Sequence, residues 1–161
     1  MKRILSAILV IIILLSLLSG CSQKADKPGS NQSPQVHSQA DHPKALDITG
    51  SYTTKEDVAL YLNTYHKLPP NFITKQQAKE LGWPGGSLEP YAPGMCIGGN
   101  TFGNYEGLLP SKKGRSYYEC DIDTLKAKDR GSKRLVYSND GLIYYTEDHY
   151  ESFLLLYGEE E

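Results

Sequence analysis

Apolar side chains recur at steps of three and four residues between positions 53 and 66, which predicts an amphipathic helix. Thr53 or Thr54 can cap its start through a side-chain oxygen. Pro69 and Pro70 end it, because a proline has no amide hydrogen to continue the hydrogen-bond ladder. The first element of the folding unit is therefore a helix of three to four turns.

A second, shorter helix is predicted directly after Thr74, which can serve as its N-cap. Ala78 and Leu81 form its apolar stripe, and Gly82 ends it. Residues 88–92 are expected to add one more helical turn.

After Gly94 the helical periodicity stops, and short runs rich in β-branched and aromatic residues follow. The predicted strands are residues 96–97, 116–122, 134–137, 142–146 and 152–157. Helices first and strands afterwards predict an α+β fold, with the N-terminal helices packed on one face of a C-terminal antiparallel β-sheet.

The N-terminus has the pattern of an export signal. Lys2 and Arg3 precede an apolar run over residues 4–18, too short for a typical membrane-spanning helix. We expect a signal peptide at residues 1–20, with Cys21 as a lipidated N-terminus, because the small residues before Cys21 resemble a bacterial lipobox. Ordinary secretion with Cys21 incidental, and an uncleaved anchor, are the weaker alternatives.

Residues 21–46 are polar, with no aromatic side chain, and cannot bury enough apolar area to fold. They are interpreted as a disordered tether, which leaves residues 47–158 as the folding unit and residues 159–161 as a solvated acidic tail. The export signal and tether together predict an extracellular domain held at a cell membrane.

Length and charge exclude several classes of protein. A mature chain of 141 residues is too short for a TIM barrel or a two-domain dehydrogenase, and the sequence has no GxGxxG, Walker or HExxH motif. With 15 basic and 19 acidic side chains, its formal charge is −4. A polyanion must therefore be bound by a local basic patch.

Residues 112–134 supply such a patch, with eight basic and four acidic side chains. Arg130 and Arg134 are expected to flank a turn and converge, and arginine pairs suit the oxygens of a phosphate. For the lysines of this stretch, solvated surface charge is the default interpretation.

Glu119 and Asp121 share one face of a predicted strand, among these basic residues. Glu119 is a candidate proton acceptor, whereas for Asp121 a structural ion pair with an arginine is the better interpretation. His149, in a loop between two predicted strands, is a candidate general acid when paired with a distant glutamate; alone, it reads as an exposed turn residue.

Cys96 and Cys120 remain as a pair in a chain with an export signal. In an oxidising compartment they are a disulfide candidate, and the alternative is two buried thiols. The sequence shows no spacing of ligands typical of a metal site, so none is expected.

Several motifs in unbroken order from about residue 46 to residue 157 resemble the barnase and binase family of extracellular bacterial ribonucleases, which prefer guanine. They include Tyr61-Leu62-Asn63-Thr64-Tyr65-His66-Lys67-Leu68-Pro69, Leu81-Gly82-Trp83, Glu106-Gly107, Arg130, Arg134 and Asp148-His149-Tyr150.

The resemblance implies the microbial ribonuclease fold and cleavage of single-stranded RNA in two steps, without a cofactor or metal. It assigns Glu119 as base, His149 as acid, and Lys75, Arg130 and Arg134 as stabilising cations. It also implies that Phe102, Asn104, Glu106 and Tyr150 bind the guanine. A small acidic inhibitor of the barstar type is the implied protein partner, and we expect a monomer.

Three departures from the family bear on these roles. Asn100 stands where the family has an aspartate, Tyr105 where it has an arginine, and Gly141 where it has a tryptophan. The first two, with the acidic total, leave a second hypothesis open: a catalytically weak lipoprotein that binds a nucleotide or a protein in the same cleft.

Overall fold

The computed structural model describes residues 45–160. The predicted signal peptide, Cys21 and all but the last two residues of the predicted tether lie outside this range. Both helices lie in the N-terminal half of this range, with one short strand between them, and five further strands follow. The elements are α1 Lys55–Tyr65, β1 Phe72–Ile73, α2 Lys75–Glu80, β2 Cys96–Phe102, β3 Tyr117–Asp121, β4 Arg134–Ser138, β5 Ile143–Thr146 and β6 Leu154–Tyr157. Within residues 45–160, neither helix combines the length and apolar character needed to cross a bilayer.

Helix α1 begins and ends where its capping residues dictate. The side chain of Thr54 accepts a hydrogen bond from the backbone N–H of Asp57. At the other end His66 adopts a left-handed conformation with φ 54°, and its N–H donates to the carbonyl of Leu62. The predicted helix is confirmed, and the structure selects Thr54 as its cap.

The six strands lie side by side in the order of the sequence. Strands β1 and β2 are parallel, and every following pair is antiparallel. The parallel pair needs a crossover connection, which contains α2, whereas the antiparallel pairs are joined by loops and turns. The predicted α+β fold is confirmed.

Strand β2 is longer than the sequence predicted, and β1 was not predicted at all. Two consecutive glycines hide the continuation of β2, because glycine is depleted in strands. At Gly98 a Cβ atom would lie 2.7 Å from the Cβ of Cys120, so only glycine fits there. Gly99 has φ +83°, and the register shifts between Gly98 and Asn100, as at a β-bulge.

Each face of the sheet carries its own core cluster. Helix α1 covers one face, where Val58, Ala59 and Leu62 pack against strand residues that include Cys120 and Leu135. The other face carries a second cluster: Leu109, Tyr117, Val136, Leu142 and Tyr144. Helix α2 contributes Ala78 to a third cluster, with Trp83 and Ile97.

The disulfide between Cys96 and Cys120 is not formed, and both cysteines are buried free thiols. The sheet register explains why Cys96 and Cys120 are not bonded. Gly98 lies opposite Cys120, so Cys96 is two residues away along its strand. Such diagonal neighbours lie about 7–8 Å apart, beyond the usual Cα separation of a disulfide. Burial raises the pKa of both thiols.

The predicted solvated tail is partly tied to the domain. The buried Tyr144 donates its hydroxyl hydrogen to Oε1 of Glu160, at 2.8 Å. A buried phenol requires an acceptor, and Glu160 supplies it.

Candidate active site

Glu119 lies in the middle of strand β3, and its side chain is only 8% exposed. Lys75, the first residue of α2, places its Nζ 2.6 Å from Glu119 Oε1. The hydroxyl of Tyr150 donates to the other oxygen, Oε2. Both oxygens of this buried carboxylate are therefore engaged, as a buried charge requires.

The environment keeps Glu119 ionised. Burial raises its pKa, and this is the largest single effect. The hydrogen bonds from Lys75 and Tyr150, together with the charges of Lys75 and Arg130, act in the opposite direction. The net result is a pKa below the ordinary value of a glutamate. A carboxylate that is held ionised is equipped to accept a proton.

Asn100 lies directly opposite Glu119 on strand β2, so the two side chains share a face. Its Oδ1 accepts the backbone N–H of Lys75 at 3.0 Å, which fixes the start of α2 beside the carboxylate. Its Nδ2 is buried and has no hydrogen-bond partner among residues 45–160. The neutral amide thus positions Lys75 without adding a second negative charge beside Glu119.

Asp121 pairs with two arginines, which confirms its interpretation as a structural carboxylate. Arg130 Nε and Nη2 lie 2.7 and 2.8 Å from its two oxygens. Arg134 Nε lies 2.9 Å from Oδ1, in an ionic contact that is not aligned as a hydrogen bond. The predicted convergence of Arg130 and Arg134 is confirmed, and Asp121 is the residue on which they converge.

The side chains of Arg130 and Arg134 differ in how far they are exposed to a ligand. Arg134 is 2% exposed and donates to the carbonyls of Arg130, Gly131 and Lys133, so it holds the turn closed. The side chain of Arg130 is 24% exposed and lies over the ring of Trp83. Its hydrogen bonds to Asp121 raise the pKa of Arg130. Arg130 is the arginine that can contact a ligand directly.

His149 and Tyr150 stand in a tight loop between β5 and β6. Both have a left-handed backbone, with φ 61° and 77°, which is costly for residues other than glycine. Thr146 Oγ1 accepts the N–H of Tyr150 at 3.0 Å. Asp148 accepts from the Thr146 hydroxyl and from the backbone N–H groups of residues 151 and 152. These hydrogen bonds hold the loop backbone in its left-handed conformation. His149 lies in this loop with its side chain exposed.

A cleft of about 570 Å³ lies beside this loop, and it is lined by Phe102, Tyr105, Glu106, His149 and Tyr150 among others. The rings of Phe102 and Tyr150 are 5.3 Å apart, and those of His149 and Tyr150 are 4.9 Å apart. Because the Tyr150 hydroxyl reaches Glu119, this ring connects the imidazole side of the cleft with the carboxylate.

The residues proposed for substrate binding do not contribute in the same way. Phe102, Glu106 and Tyr150 line the cleft with their side chains. Asn104 also lines it, but its amide closes the loop, donating to the carbonyl of Leu109 and accepting the N–H of Leu109. The side chain of Asn104 therefore closes the loop over residues 102–109, called the base loop below.

Two roles were missed in the sequence. Tyr150 was expected as a stacking ring, and its hydroxyl bond to Glu119 depends on a contact 31 residues apart in the chain. Asp148 was not assigned any role. Its spacing to Ser152 is a local signal that could have revealed it, because an aspartate often accepts backbone N–H groups in the following turn.

A metal ion would need several ligating side chains close together. Within residues 45–160, no group of three His, Cys, Asp or Glu side chains could hold a metal ion.

Comparison with known proteins identifies the class to which this site belongs. The sequence model of the ribonuclease family matches residues 55–157. A ribonuclease of Heyndrickxia coagulans is 51% identical over 102 residues, covering 62% of this chain and 93% of that protein. A ribonuclease of Bacillus intermedius is 51% identical over 102 residues, covering 62% of each chain. The guanyl-specific ribonuclease St of Saccharopolyspora erythraea is 39% identical over 88 residues, covering 55% of this chain and 79% of that protein.

The fold, the cleft and these matches define the chain as an endoribonuclease. The Glu119 site with its two arginines lies entirely within the matched residues. The chain belongs to the ribonuclease family represented by barnase and binase.

Proposed function

We propose that this enzyme cleaves single-stranded RNA after guanine, through a 2′,3′-cyclic phosphate that is then hydrolysed. The observation that carries the proposal is the ionised Glu119, held by Lys75 and Tyr150 beside the loop that presents His149. A proton acceptor and a cation thus lie next to Tyr150, the chain neighbour of the proposed proton donor, which supports a phosphodiester cleavage without a covalent enzyme intermediate.

In the first step Glu119 removes the proton of the ribose 2′-hydroxyl, and the 2′-oxygen attacks the adjacent phosphorus. The bond from phosphorus to the 5′-oxygen breaks, and the protonated imidazole of His149 donates its proton to that oxygen. The products are a 2′,3′-cyclic phosphate and a free 5′-hydroxyl. In the second step the roles reverse: His149 takes a proton from a water, whose oxygen attacks the phosphorus. The bond from phosphorus to the 2′-oxygen breaks, Glu119 donates its proton to that oxygen, and a 3′-phosphate is left.

Charge that develops on the phosphoryl oxygens needs cations nearby. Lys75 and Arg130 are partly exposed and can bind those oxygens directly. Arg134 contributes its buried positive charge and fixes the turn that carries Arg130. Removing one such preorganised donor from an enzyme typically costs about 10²–10³ in rate.

Guanine preference rests on the base loop. The carboxylate of Glu106 is exposed at the cleft and can accept hydrogen bonds from the N1 and N2 hydrogens of guanine. Phe102 and Tyr150 offer ring faces for stacking. An unpaired base exposes the edge that Glu106 reads, which favours single-stranded RNA as the substrate.

The test compares dinucleotide cleavage of GpN with ApN, CpN and UpN, for the parent enzyme and the variants Glu119→Gln, His149→Gln and Glu106→Gln. We expect preferential GpN cleavage, a loss of about two to four decades in rate for Glu119→Gln and His149→Gln, and a reduced preference for guanine in Glu106→Gln. Equal rates for the parent and Glu119→Gln contradict the proposal. Saturable binding of guanosine monophosphate without cyclic product favours the binding-only alternative, which the family match does not support.

We also propose that no metal takes part, because side chains supply both proton transfers and the charge stabilisation. Cleavage is then expected to be unchanged by an excess of EDTA. A loss of activity that added Mg²⁺ or Zn²⁺ restores contradicts this part of the proposal.

Export and membrane anchoring through Cys21 are proposed on the sequence pattern alone. In a bacterial host the mature protein is expected in the membrane fraction, and Cys21→Ala is expected to release it or to block its processing. A Cys21→Ala protein that is processed to the same mature length as the parent and still stays in the membrane fraction contradicts lipidation. A monomer is proposed for the domain, and sedimentation can check it.

A small acidic inhibitor protein of the barstar type is the proposed partner. The rim of the cleft is uncharged at Tyr105 and Leu108, which are 94% and 54% exposed. Fewer cations at the rim weaken the electrostatic attraction of an acidic protein. Titration calorimetry is expected to show weaker binding than barnase has, and Tyr105→Arg is expected to strengthen it. Binding as tight as that of barnase contradicts the proposed weakening.

A further inference from the structure

A second cavity, of about 510 Å³, lies between the end of helix α1 and strands β3 to β5. Leu62, Asn63 and His66 line it from the helix side, and Tyr118, Tyr137 and Ile143 line it from the sheet. The volume falls within the range of about 300–1,000 Å³ that is common for small-molecule sites. Nothing in the ribonuclease mechanism uses these residues.

This cavity is separate from the active site. Neighbouring residues of a strand point to opposite faces of a sheet, so Tyr118 and Glu119 face opposite ways. Tyr118 pairs with Tyr137, and Tyr137 with Ile143, so these three residues share the face covered by α1. The cavity and the catalytic cleft share no lining residue.

Its walls suit a flat ring. The rings of Tyr118 and Tyr137 are 5.7 Å apart and tilted by 31° to each other, and they form one aromatic wall. Leu62 and Ile143 are each 3% exposed and supply aliphatic surface. Aromatic rings gain from ring pairing beyond the burial of area, which favours an aromatic ligand over an aliphatic one.

Four of the polar side chains that line this cavity make no hydrogen bond within the described protein. Within residues 45–160 the side chains of Asn63 and His66 and the hydroxyls of Tyr118 and Tyr137 have no hydrogen-bond partner. Burial raises the pKa of Tyr137, so its hydroxyl stays a donor at neutral pH. Unpartnered donors and acceptors around an apolar floor favour a ligand that carries both kinds of group.

The turn between β4 and β5 keeps the cavity open. Gly141 has φ +102°, and a Cβ atom placed there would meet nothing within 4 Å. The neighbouring side chains are bound elsewhere: Asp140 to Arg115 and Ser138, and Asn139 to backbone groups of Gly114 and Ser116. They cannot turn inward to fill the space without losing those bonds.

We propose that this cavity binds a planar bicyclic heteroaromatic molecule with a ring N–H, the chemistry that indoles and purine bases share. The ring stacks on Tyr118 and Tyr137, and the ring nitrogens exchange hydrogen bonds with the phenols, His66 and Asn63. The site is independent of RNA cleavage, so binding and catalysis can be tested separately.

The test uses indole and adenine as probes, with titration calorimetry and amide chemical shifts on the full protein. We expect a Kd below about 1 mM for at least one probe, with shifts centred on Tyr118, Tyr137 and Gly141. At ten times Kd, a ligand that binds only the folded state is expected to raise Tm by several degrees. Binding of indole alone assigns the site to indoles, and binding of adenine alone assigns it to purine bases.

Two variants test the location. Asn63→Trp places an indole ring at the cavity, so it is expected to weaken probe binding at least tenfold. Thr64→Trp on the same helix is the matched control, and it is expected to leave probe binding unchanged. Tyr137→Leu removes the ring wall and is also expected to weaken binding. No binding of either probe, unchanged affinity in both Asn63→Trp and Tyr137→Leu, or shifts confined to the Phe102–Tyr150 cleft overturns the proposal.

Discussion

Lys75 and Glu119 are 44 residues apart in the chain, yet the ammonium of one lies 2.6 Å from the carboxylate of the other. The pair joins the first residue of α2 to the centre of β3, so the catalytic charge state depends on how α2 docks against the sheet. Asn100 provides that docking by accepting the N–H of Lys75.

Removing the ammonium is the first prediction. In Lys75→Ala, Glu119 keeps the desolvation that raises its pKa but loses the hydrogen bond and charge of Lys75 that lower it. The acidic limb of the pH profile of kcat/KM is expected to move to higher pH, and kcat/KM at the optimum to fall by about 10²–10³. Lys79→Ala, on the exposed side of the same helix, is the control. An unmoved acidic limb contradicts the coupling of Lys75 to Glu119.

Adding a charge at position 100 is the second prediction. Asn100→Asp retains an oxygen that can accept the N–H of Lys75, and it places a carboxylate directly opposite Glu119. A like charge disfavours ionisation, so the pKa of Glu119 is expected to rise and the acidic limb of the pH profile to move to higher pH. Asn100→Ser separates charge from geometry, because it adds no charge. The same displacement in both variants contradicts the electrostatic explanation.

The loop that carries His149 depends on Asp148. Its hydrogen bonds with Ser152, Thr146 and the backbone of residues 151 and 152 lower its pKa from 3.8 to about 2. These bonds favour the ionised form, so they stabilise the fold above about pH 4 and are lost as the pH falls towards 2. In Asp148→Asn, the acid-induced loss of stability between pH 4 and pH 2 is expected to become shallower, as measured by urea unfolding.

Activity should respond to the same substitution. Without the Asp148 network His149 loses its fixed orientation, and kcat for GpN is expected to fall on the order of ten- to a hundredfold. Glu151→Gln, in the same loop and exposed, serves as the control. Full activity in Asp148→Asn means that the loop does not depend on this carboxylate.

Asp121 is predicted to matter for stability. It is 1% exposed and compensates two arginines, so Asp121→Ala leaves buried positive charge unpaired. The expected loss is about 3–5 kcal/mol in the free energy of unfolding. Asp123→Ala removes an exposed partner of Lys133 and is expected to leave stability nearly unchanged. If Asp121→Ala is as stable as the parent, the ion pairs of Asp121 with Arg130 and Arg134 do not stabilise the fold.

The free thiols give the last prediction. Because Cys96 and Cys120 are not joined, a reducing agent is expected to leave Tm unchanged, and Cys96→Ala and Cys120→Ala are not expected to behave as one linked pair. Peptide mapping under non-reducing conditions provides a second measurement. A peptide that links residues 96 and 120 contradicts the arrangement of thiols described here.

The sequence predicted elements wherever the periodicity was local. Helix α1 and strands β3 to β5 carry their own apolar pattern and capping residues, so their positions follow from neighbouring residues. Strand β2 extends through two glycines, whose place in the sheet depends on contact with Cys120 and not on their own propensity. Strand β1 has only two residues, too few for any periodicity.

The candidate site shows the same division. Residue types and the charge pattern alone indicated Glu119, Arg130 and Arg134, whereas Lys75 and the base-loop residues followed from the family resemblance. The hydroxyl bond from Tyr150, the use of the Asn104 amide within its loop and the closing role of Arg134 are three-dimensional relationships, which no local pattern contains.

The two left-handed residues 149 and 150 have a consequence for the kinetics of the enzyme. The strain of that backbone is balanced during folding by the bonds around Asp148 and Thr146, before any RNA arrives. The backbone that carries His149, the proposed proton donor, is consequently ordered by contacts of the folded loop itself. If His149 donates a proton as proposed, ordering of this loop adds no separate step to turnover.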